Sequence, residues 1–310
     1  MLSYCLRRLL ATVPLLAIIV TLSFFLMRLA PGGPFDDEQP IPPEIRRNLD
    51  AAYGLDQPLY VQYRRHVTGL LRGDFGPSFR LKDFTVAELI AAGLPISLQL
   101  GSCALLVAIT LGVPLGVAAA LRQQRAVDRL TRLVTALAIA LPPFVIGPLL
   151  ALAFGVRLDW LPVSGWEPGT WRDMPLPVIT LALPVSAWLA RLMRGSLLEV
   201  LDAGWIRAAQ ARGLSPAAIL LRHALRPALV PVLSYLGPAT AAVLTGSLVV
   251  ESIFGVPGMG RFLVQGALSR DYTLVLGMVV VYAVLMIVLN LLVDLAYLWL
   301  DPRQRAEHGA

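Results

Sequence analysis

The chain contains six long apolar runs, none of which includes a charged residue. Each run approaches or exceeds the ~20 apolar residues that a helix needs to cross a bilayer. The second run exceeds one crossing, which is expected to begin near Pro95, and the short fourth run is expected to continue past Arg191. The pattern predicts an all-α polytopic membrane protein with six transmembrane helices. The predicted spans are Leu9–Met27, Leu89–Leu121, Leu133–Val156, Met174–Ala190, Pro227–Val250 and Tyr272–Val293.

The first run could also be a secretory signal, because Arg7 and Arg8 precede it. It is, however, longer than the roughly 7–15 apolar residues of such signals, and no small-residue cleavage pattern follows it. The sequence "RLAPGGPF" that comes next is typical of a helix end and a turn. We therefore interpret residues 1–30 as a retained N-terminal transmembrane helix.

Composition and charge agree with a membrane protein. The chain is 57% hydrophobic and 15% charged, which is too apolar for a soluble domain of 310 residues. Its net charge of +6 would suggest a basic patch in a nucleic-acid-binding protein, but here topology explains it. If Arg7 and Arg8 are inside, fourteen arginines of the termini and short connections lie inside and four lie outside. The positive-inside rule then predicts that both termini are cytoplasmic.

The connection after the first span, residues 31–92, is too long for a plain connector. Turn residues lie at both of its ends, and the pattern between them predicts helices over Pro43–Tyr53 and Leu59–Leu71. This extracytoplasmic loop region could be a small cap that stabilises the outer face. It could equally be a docking surface for an extracytoplasmic partner, and the sequence leaves both interpretations open.

Several kinds of chemistry have no residues to support them. The chain has one lysine, Lys82, with no glycine loop before it, so it lacks the phosphate-binding loop of an ATPase. Its three histidines are scattered, and neither a metal-binding spacing nor a catalytic constellation occurs. Cys5 and Cys103 suggest no disulfide framework. We expect no catalytic residue, no metal and no cofactor.

Two acidic residues, Glu251 and Asp294, are candidates for function within the membrane. Both are predicted at span ends, where hydration from the interface is easy. We therefore expect a structural or gating role for them in preference to a proton relay.

A basic, alanine-rich stretch interrupts the apolar pattern: "LDAGWIRAAQARGLSPAAILLRHALRPALVPVL", residues 201–233. Gly213 suits a left-handed helix end, Ser215 an N-cap and Pro216 the first position of a new helix. The stretch is therefore predicted to form a helix–turn–helix over about 201–212 and 216–226, on the cytoplasmic side.

The first of these helices combines small, aromatic and basic residues. Ala208 and Ala209 leave a shallow surface against which another protein could pack closely, beside Trp205, Arg207 and Arg212. An amphipathic helix lying on anionic lipid is the alternative, but it would favour a thick apolar face of leucine and phenylalanine. The alanines favour a protein partner.

The same stretch resembles the EAA loop of the membrane subunits of ATP-binding-cassette importers. That pattern has Glu-Ala-Ala, a glycine four residues after the last alanine, and a distal Ile-x-Leu-Pro. This chain departs from it by an arginine in place of the glutamate and by a displaced proline. The corresponding positions here are Arg207, Ala208, Ala209 and Gly213, then His223, Leu225 and Pro227.

The resemblance extends along nearly the whole chain, to "RLAPGGPF", "GDFGPSF", "ARLMRGSLLEVL" and "VVESIFGVPGMGRFLVQGALSRDY". Together these segments resemble the oligopeptide, dipeptide and nickel permeases, with oligopeptide permeases the most similar. The resemblance implies the type I importer permease fold in a bacterial cytoplasmic (inner) membrane. It also implies four partner subunits: a paralogous second permease, two ATPases and an extracytoplasmic solute-binding protein.

The resemblance also implies a division of the chain and a role for its loop. The expected domains are an N-terminal helix (1–30), the loop region (31–92), a five-helix transmembrane domain (93–293) and a cytoplasmic end (294–310), with the coupling loop at about 201–226. The chain would form half of a translocation pathway for oligopeptides, with dipeptides or nickel complexes as alternatives. The expected ATPase-coupling residues are Trp205, Arg207, Ala208, Ala209, Arg212, Gly213 and Leu225.

Polar side chains in spans two to five are the candidates for lining the pathway. Serine and threonine are also ordinary helix–helix contacts in membranes, so each candidate has this second interpretation. The candidates are Gln99, Ser102, Ser186, Ser234, Thr240, Thr245 and Ser247.

Two other classes of protein would leave different patterns in the sequence. An ion-coupled transporter or channel would need no ATPase and should carry intramembrane charges deeper than Glu251 or Asp294. An intramembrane enzyme would need paired acids, a Ser/Lys dyad or histidine ligands at membrane depth, and the sequence has none of these patterns.

Overall fold

The computed structural model describes residues 2–29, 33–35, 42–81, 83–167 and 169–300. Within these residues there is no β-strand, and Pro77 and Thr85 form an isolated antiparallel bridge. A 3₁₀ turn, Trp171–Asp173, precedes α7, and π-helical turns extend α6 (Ala151–Arg157) and α9 (Ile219–Ala224). The α-helices are α1 Leu2–Leu29, α2 Pro43–Tyr53, α3 Leu59–Leu71, α4 Val86–Leu121, α5 Ala126–Ala140, α6 Pro143–Leu150, α7 Pro175–Leu201, α8 Gly204–Ala211, α9 Pro216–Ala218, α10 Leu225–Ala228, α11 Val230–Phe254, α12 Met259–Leu268 and α13 Tyr272–Leu300.

The prediction of an all-α membrane protein is confirmed. Five of the described helices, α1, α4, α7, α11 and α13, are long and apolar enough to cross a membrane. As expected, α7 continues past Arg191 and ends at Leu201. A sixth crossing requires α5 and α6, with its π-helical extension, to act together as one broken span.

The third predicted span, Leu133–Val156, is wrong as a single helix. The chain is helical from Ala126, and the axis bends by 106° between α5 and the helix that begins at Pro143. Leu141 and Pro142 are extended (ψ 119° and 153°), because each precedes a proline and a proline disfavours the α conformation in the residue before it. Two consecutive prolines therefore end one helix and start the next, which an unbroken apolar run does not reveal.

The described chain divides into two compact units. The central unit comprises Ser97–Val256 and residues 288–300, and α7 lies at its centre, packed against α5, α6 and α11. The α4 backbone approaches α7 at Gly112 and Gly116. A Cβ on Gly116 would lie 2.5 Å from the Ala190 carbonyl oxygen and 2.8 Å from Met193 Cβ. Small residues here permit the close packing that holds helices together in membranes.

This close contact yields a first prediction. Gly116→Ala is expected to destabilise the chain by roughly 1–3 kcal/mol, because the added methyl overlaps backbone atoms of α7 and the helices must separate. The control is Gly195→Ala, in the last third of α7, where a Cβ meets no atom within 4 Å. That change should stabilise α7 by roughly 0.5–1 kcal/mol. Denaturant unfolding of both variants in micelles measures the difference, and equal shifts would contradict this packing.

The second unit, Leu2–Ile96 with Pro257–Ile287, is called the N-terminal unit. Its helices α2 and α3 have the predicted bounds. Its small core is aromatic: the Tyr53 ring lies 5.5 Å from Phe35 and 4.7 Å from Phe79. Tyr272 is buried in the same cluster. The region after the first span is thus built on a core of its own, together with the start of α13.

Asp271 ties two distant segments of the N-terminal unit together. Its buried carboxylate accepts hydrogen bonds from the Ser78 hydroxyl and the Phe79 N–H (3.0 Å), 192 residues away. It also accepts the Leu274 N–H (3.1 Å), as an N-cap for α13. The carboxylate therefore satisfies donors of the segment before α4 and of the start of α13 at once.

Candidate functional site

The first arm of the 201–226 loop is α8, which begins at Gly204 and not at Leu201. Asp202 caps the end of α7, and Ala203 is extended (φ −68°, ψ 145°), so the chain turns before α8 begins. Gly213 has φ +78°, and its N–H donates to the Gln210 carbonyl (2.9 Å). This left-handed end is as predicted, because glycine adopts it without a Cβ penalty.

The second arm begins as predicted but is less regular. Ser215 Oγ accepts the Ala218 N–H (3.3 Å), and Pro216 takes the first helical position. The helix widens into a π turn over Ile219–Ala224 and returns to α-helix over Leu225–Ala228. A π turn shifts the side-chain register by one residue within an otherwise continuous helix, and periodicity did not predict it.

Ala208 and Ala209 lie on different sides of α8. Ala209 is 2% exposed and Ile206 is 0% exposed, so this side packs inside the chain, where α8 contacts the π turn. Ala208 and Arg207 are exposed, and Trp205 is 47% exposed. Placing Ala209 on the same outward surface as Ala208 is therefore wrong. The side that points away from the chain combines a small residue, an indole and charge.

The other predicted coupling residues also differ in exposure. Arg212 and Gly213 are exposed at the end of α8, and Arg207 Nη2 donates to the Asp202 carbonyl (3.0 Å). Leu225 is half-buried in the second arm. A recess of about 430 Å³ lies beside Trp205, between the end of α7, which carries Glu199, and the start of α11. The loop therefore offers an exposed side of α8 with a cavity next to it.

An ion pair that sequence reasoning missed joins α5 to α7, the helix that leads into the loop. Arg194 Nε and Nη2 donate to the two carboxylate oxygens of Asp128 (2.6 and 2.9 Å). Asp128 is fully buried and also accepts the Gln124 N–H (2.9 Å). Its one sequence signal was a lone acid within an arginine-rich segment, residues 122–132.

The predicted pathway residues do not form one site in the described part of the chain. Ser102 and Thr240 line the same recess of about 110 Å³ between α4 and α11. Ser247 is fully buried, so it lines no open path. Gln99 Nε2 donates to Met174 Sδ (3.8 Å). The Thr245 side chain lies outside the described residues.

Most of the pathway hydroxyls bond to their own helix. Ser186 donates to Leu183 O (2.8 Å) and Ser234 to Val230 O (3.0 Å). Ser102, Thr240 and Ser247 likewise donate to carbonyls three residues earlier. Such bonds satisfy a hydroxyl in an apolar setting without any ligand.

Glu251 lies in the last turn of α11, at a span end as predicted, but it is 0% exposed, so the expected hydration from the interface is wrong. Ser97, at the start of the central unit in α4, donates to Glu251 Oε1 (2.7 Å). The helix α11 continues to Phe254, and the chain turns back at Gly255 (φ +68°), which places Glu251 inside the packed helices. The Asp294 side chain lies outside the described residues.

Two family models match nearly the whole chain. Residues 112–306 match the model described as "binding-protein-dependent transport system inner membrane component". Residues 1–100 match the corresponding N-terminal model of such membrane components.

Characterised relatives are similar along their whole lengths. The oligopeptide transport system permease protein OppB of Haemophilus influenzae is 48% identical, covering 98% of this chain and 100% of that protein. OppB of Salmonella typhimurium is 47% identical with the same coverage. The dipeptide transport system permease protein DppB of Bacillus subtilis is 41% identical, with 98% of each chain covered.

Solved structures share the fold at low sequence identity. A chain of the inward-facing MetNI methionine ABC transporter superposes with a TM-score of 0.55 at 16% identity, covering 69% of this chain and 96% of that one. A chain of an amino acid ABC transporter gives 0.52 at 21% identity, covering 68% and 93%. These likenesses support the importer permease fold and nothing finer.

Proposed function

Because this chain belongs to the family of inner membrane components of binding-protein-dependent transport systems, we propose that it forms half of the pathway of an ATP-driven peptide importer. The family membership carries this proposal. The other half would be a paralogous permease, and two ATPase subunits would hydrolyse the ATP, since this sequence has no phosphate-binding loop. An extracytoplasmic binding protein would deliver the peptide.

Oligopeptides are the proposed substrates. The OppB relatives are 46–48% identical to this chain, whereas the DppB relatives are 38–41% identical. Dipeptides are therefore the second candidate, and nickel complexes the third. In this class of importer the binding protein would make most of the selection.

The proposed ATPase contact is the exposed side of α8, around Trp205, Arg207 and Ala208. Ala208 permits close approach of a partner, and aromatic and arginine side chains are typical anchors at protein interfaces. Arg212 and Gly213 would complete this surface at the end of the helix. As the ATPase pair closes on ATP, α8 would move with it, and α7 would carry the movement into the membrane.

The loop region after the first span is proposed to help dock the binding protein. Its two helices leave large apolar side chains in solvent, with Tyr60 74% and Leu71 83% exposed, which favours a docking surface over a simple cap. This assignment requires the arginine-rich connections to be cytoplasmic and residues 31–92 to lie outside. The proposed transmembrane domain is 93–293, flanked by the first helix (1–30) and a cytoplasmic end (294–310).

Reconstitution tests the proposed function. The complete complex in proteoliposomes, with its binding protein outside and ATP inside, should accumulate a labelled tetrapeptide more strongly than a labelled dipeptide or Ni²⁺. Without ATP or without binding protein, uptake should fall to the level of empty liposomes. Peptide uptake that needs neither would instead support an ion-coupled transporter or channel. Preferred uptake of the dipeptide or of Ni²⁺ would reassign the substrate.

A further inference from the structure

A polar cavity in the N-terminal unit has no part in the proposed transport mechanism. It has a volume of about 340 Å³ and lies among α1, α3 and the start of α13. Arg28, Gln62 and His66 line it, with Arg65 and Asp74 at its edge. Two full cations and an imidazole thus face one carboxylate.

Three buried polar atoms at this cavity have no hydrogen-bond partner among the described residues: Arg28 Nε, Gln62 Oε1 and His66 Nε2. Buried polar groups are nearly always paired, and an unpaired buried cation is the costliest exception. Arg28 Nε and His66 Nε2 can each donate to a ligand, whereas Gln62 Oε1 can only accept, because its Nε2 already donates to Leu55 O and Gln57 O. Two unpaired donors at one cavity indicate a ligand that accepts hydrogen bonds.

Within the described chain, the Arg28 cation is compensated by aromatic faces and by no acid. Its guanidinium carbon lies 5.5 Å from the Phe24 ring centre and 5.2 Å from that of Tyr272. Cation–π contacts of this kind offset part of the desolvation but make no hydrogen bond. His66 stacks on Phe24 (5.7 Å), and its pKa is lowered, first by burial and then by the charge of Arg28. No acidic side chain of the described residues therefore neutralises the charge that Arg28 presents to the cavity.

The nearest carboxylate does not supply the missing partner. Asp74 is exposed, and its Oδ1 accepts the Gly76 N–H (2.9 Å). Arg65 is also exposed, with Nη1 3.1 Å from where a Cβ on Gly54 would stand. A small oxyanion in the cavity could accept bonds from Arg28 and His66 and be approached by Arg65.

The position of the cavity indicates where such an anion comes from. Arg28 is next to the last residue of α1, and Tyr272 is the first residue of α13, so the cavity lies where two membrane spans end. Phospholipid headgroups, with their phosphates, occupy this level of the bilayer. Leu22 and Leu26 are exposed on α1 just before Arg28, where acyl chains of such a lipid would lie. We propose that this cavity binds the phosphate of a phospholipid headgroup through Arg28 and His66.

Native mass spectrometry of the full-length chain, with phosphatidylglycerol added to the micelles, tests the proposal. Wild type should retain bound phospholipid, and Arg28→Met should weaken its binding at least tenfold, because a hydrogen bond to a charged group is lost. The control is Arg64→Met, which changes an exposed arginine of α3 that does not line the cavity. It should bind as wild type does. A second variant, His66→Phe, keeps the stacking on Phe24 but removes Nε2, and it should weaken lipid binding several-fold. It replaces Arg28→Met as the test if that variant does not fold.

A second titration separates lipid from free phosphate. Inorganic phosphate, compared with chloride at equal ionic strength, should raise the melting temperature of wild type but not of Arg28→Met. A response to phosphatidylglycerol and to phosphate together supports a phosphate site that lipid fills. A response to inorganic phosphate alone would overturn the lipid assignment. Equal lipid retention by wild type, Arg28→Met and His66→Phe would overturn the site itself.

Discussion

Replacing Ala208 with tryptophan is expected to leave a normally inserted permease that loses its ATPase subunits on purification and no longer transports. Ala208 is exposed on α8, so the bulky side chain has room within this chain but none against a closely packed partner. Overpacking a contact costs roughly 1–3 kcal/mol, which is about 5- to 150-fold in affinity. The ratio of ATPase to permease after purification measures the effect.

Two other alanine-to-tryptophan changes serve as controls for Ala208. Ala126 is exposed at the start of α5, outside the 201–226 segment, and Ala126→Trp should retain the ATPase subunits. Ala209 is buried within the chain, so Ala209→Trp should lower the amount of folded permease itself. Full ATPase retention and normal uptake by Ala208→Trp would remove α8 from the proposed contact. A helix lying on lipid would give that result, because tryptophan suits an interface.

Arg194→Met is expected to destabilise the permease more than Gly116→Ala does. It leaves the Asp128 carboxylate fully buried without its bidentate partner, which typically costs roughly 3–5 kcal/mol. The cost should lie near the lower end of this range, because Arg132 Nε is 3.6 Å from Asp128 and is free to move, being 54% exposed. Denaturant unfolding in micelles gives the change in unfolding free energy.

Two further variants show whether the cost comes from the unpaired carboxylate. Arg132→Met removes the exposed partner and should cost less than roughly 1 kcal/mol. Combining Asp128→Leu with Arg194→Met removes both charges and should recover most of the lost stability, as apolar replacement of a buried pair often does. A double variant as unstable as Arg194→Met alone would show that packing, and not the ion pair, carries the effect.

Local sequence features predicted the elements of the fold well. Charge-free runs located the long helices, and the turn at Gly213, Ser215 and Pro216 followed from backbone preferences of those residue types. The bend at Leu141–Pro142 was missed because hydropathy records only how apolar a run is. The proline pair itself carried the signal, since a proline restricts the residue before it.

The site was harder to predict because it depends on contacts between distant parts of the chain. Ala208 and Ala209 are alike in sequence, and only the packing of α8 against the second arm separates an exposed residue from a buried one. The buried Glu251 accepts a hydrogen bond from Ser97, which lies 154 residues away. Asp128 meets Arg194 across 66 residues. Helical periodicity within one segment contains no information about such partners.

Site-specific crosslinking from α8 is the sharpest test of the proposed ATPase contact. In a chain whose native Cys5 and Cys103 are replaced by serine, a cysteine at position 208 or 209 would be treated with a short thiol crosslinker in membranes that contain the complete complex. We expect Ala208→Cys to crosslink to an ATPase subunit, with a yield that changes when ATP is added, and Ala209→Cys to give no crosslink. No crosslink from position 208, or equal crosslinks from both positions, would contradict the proposed contact.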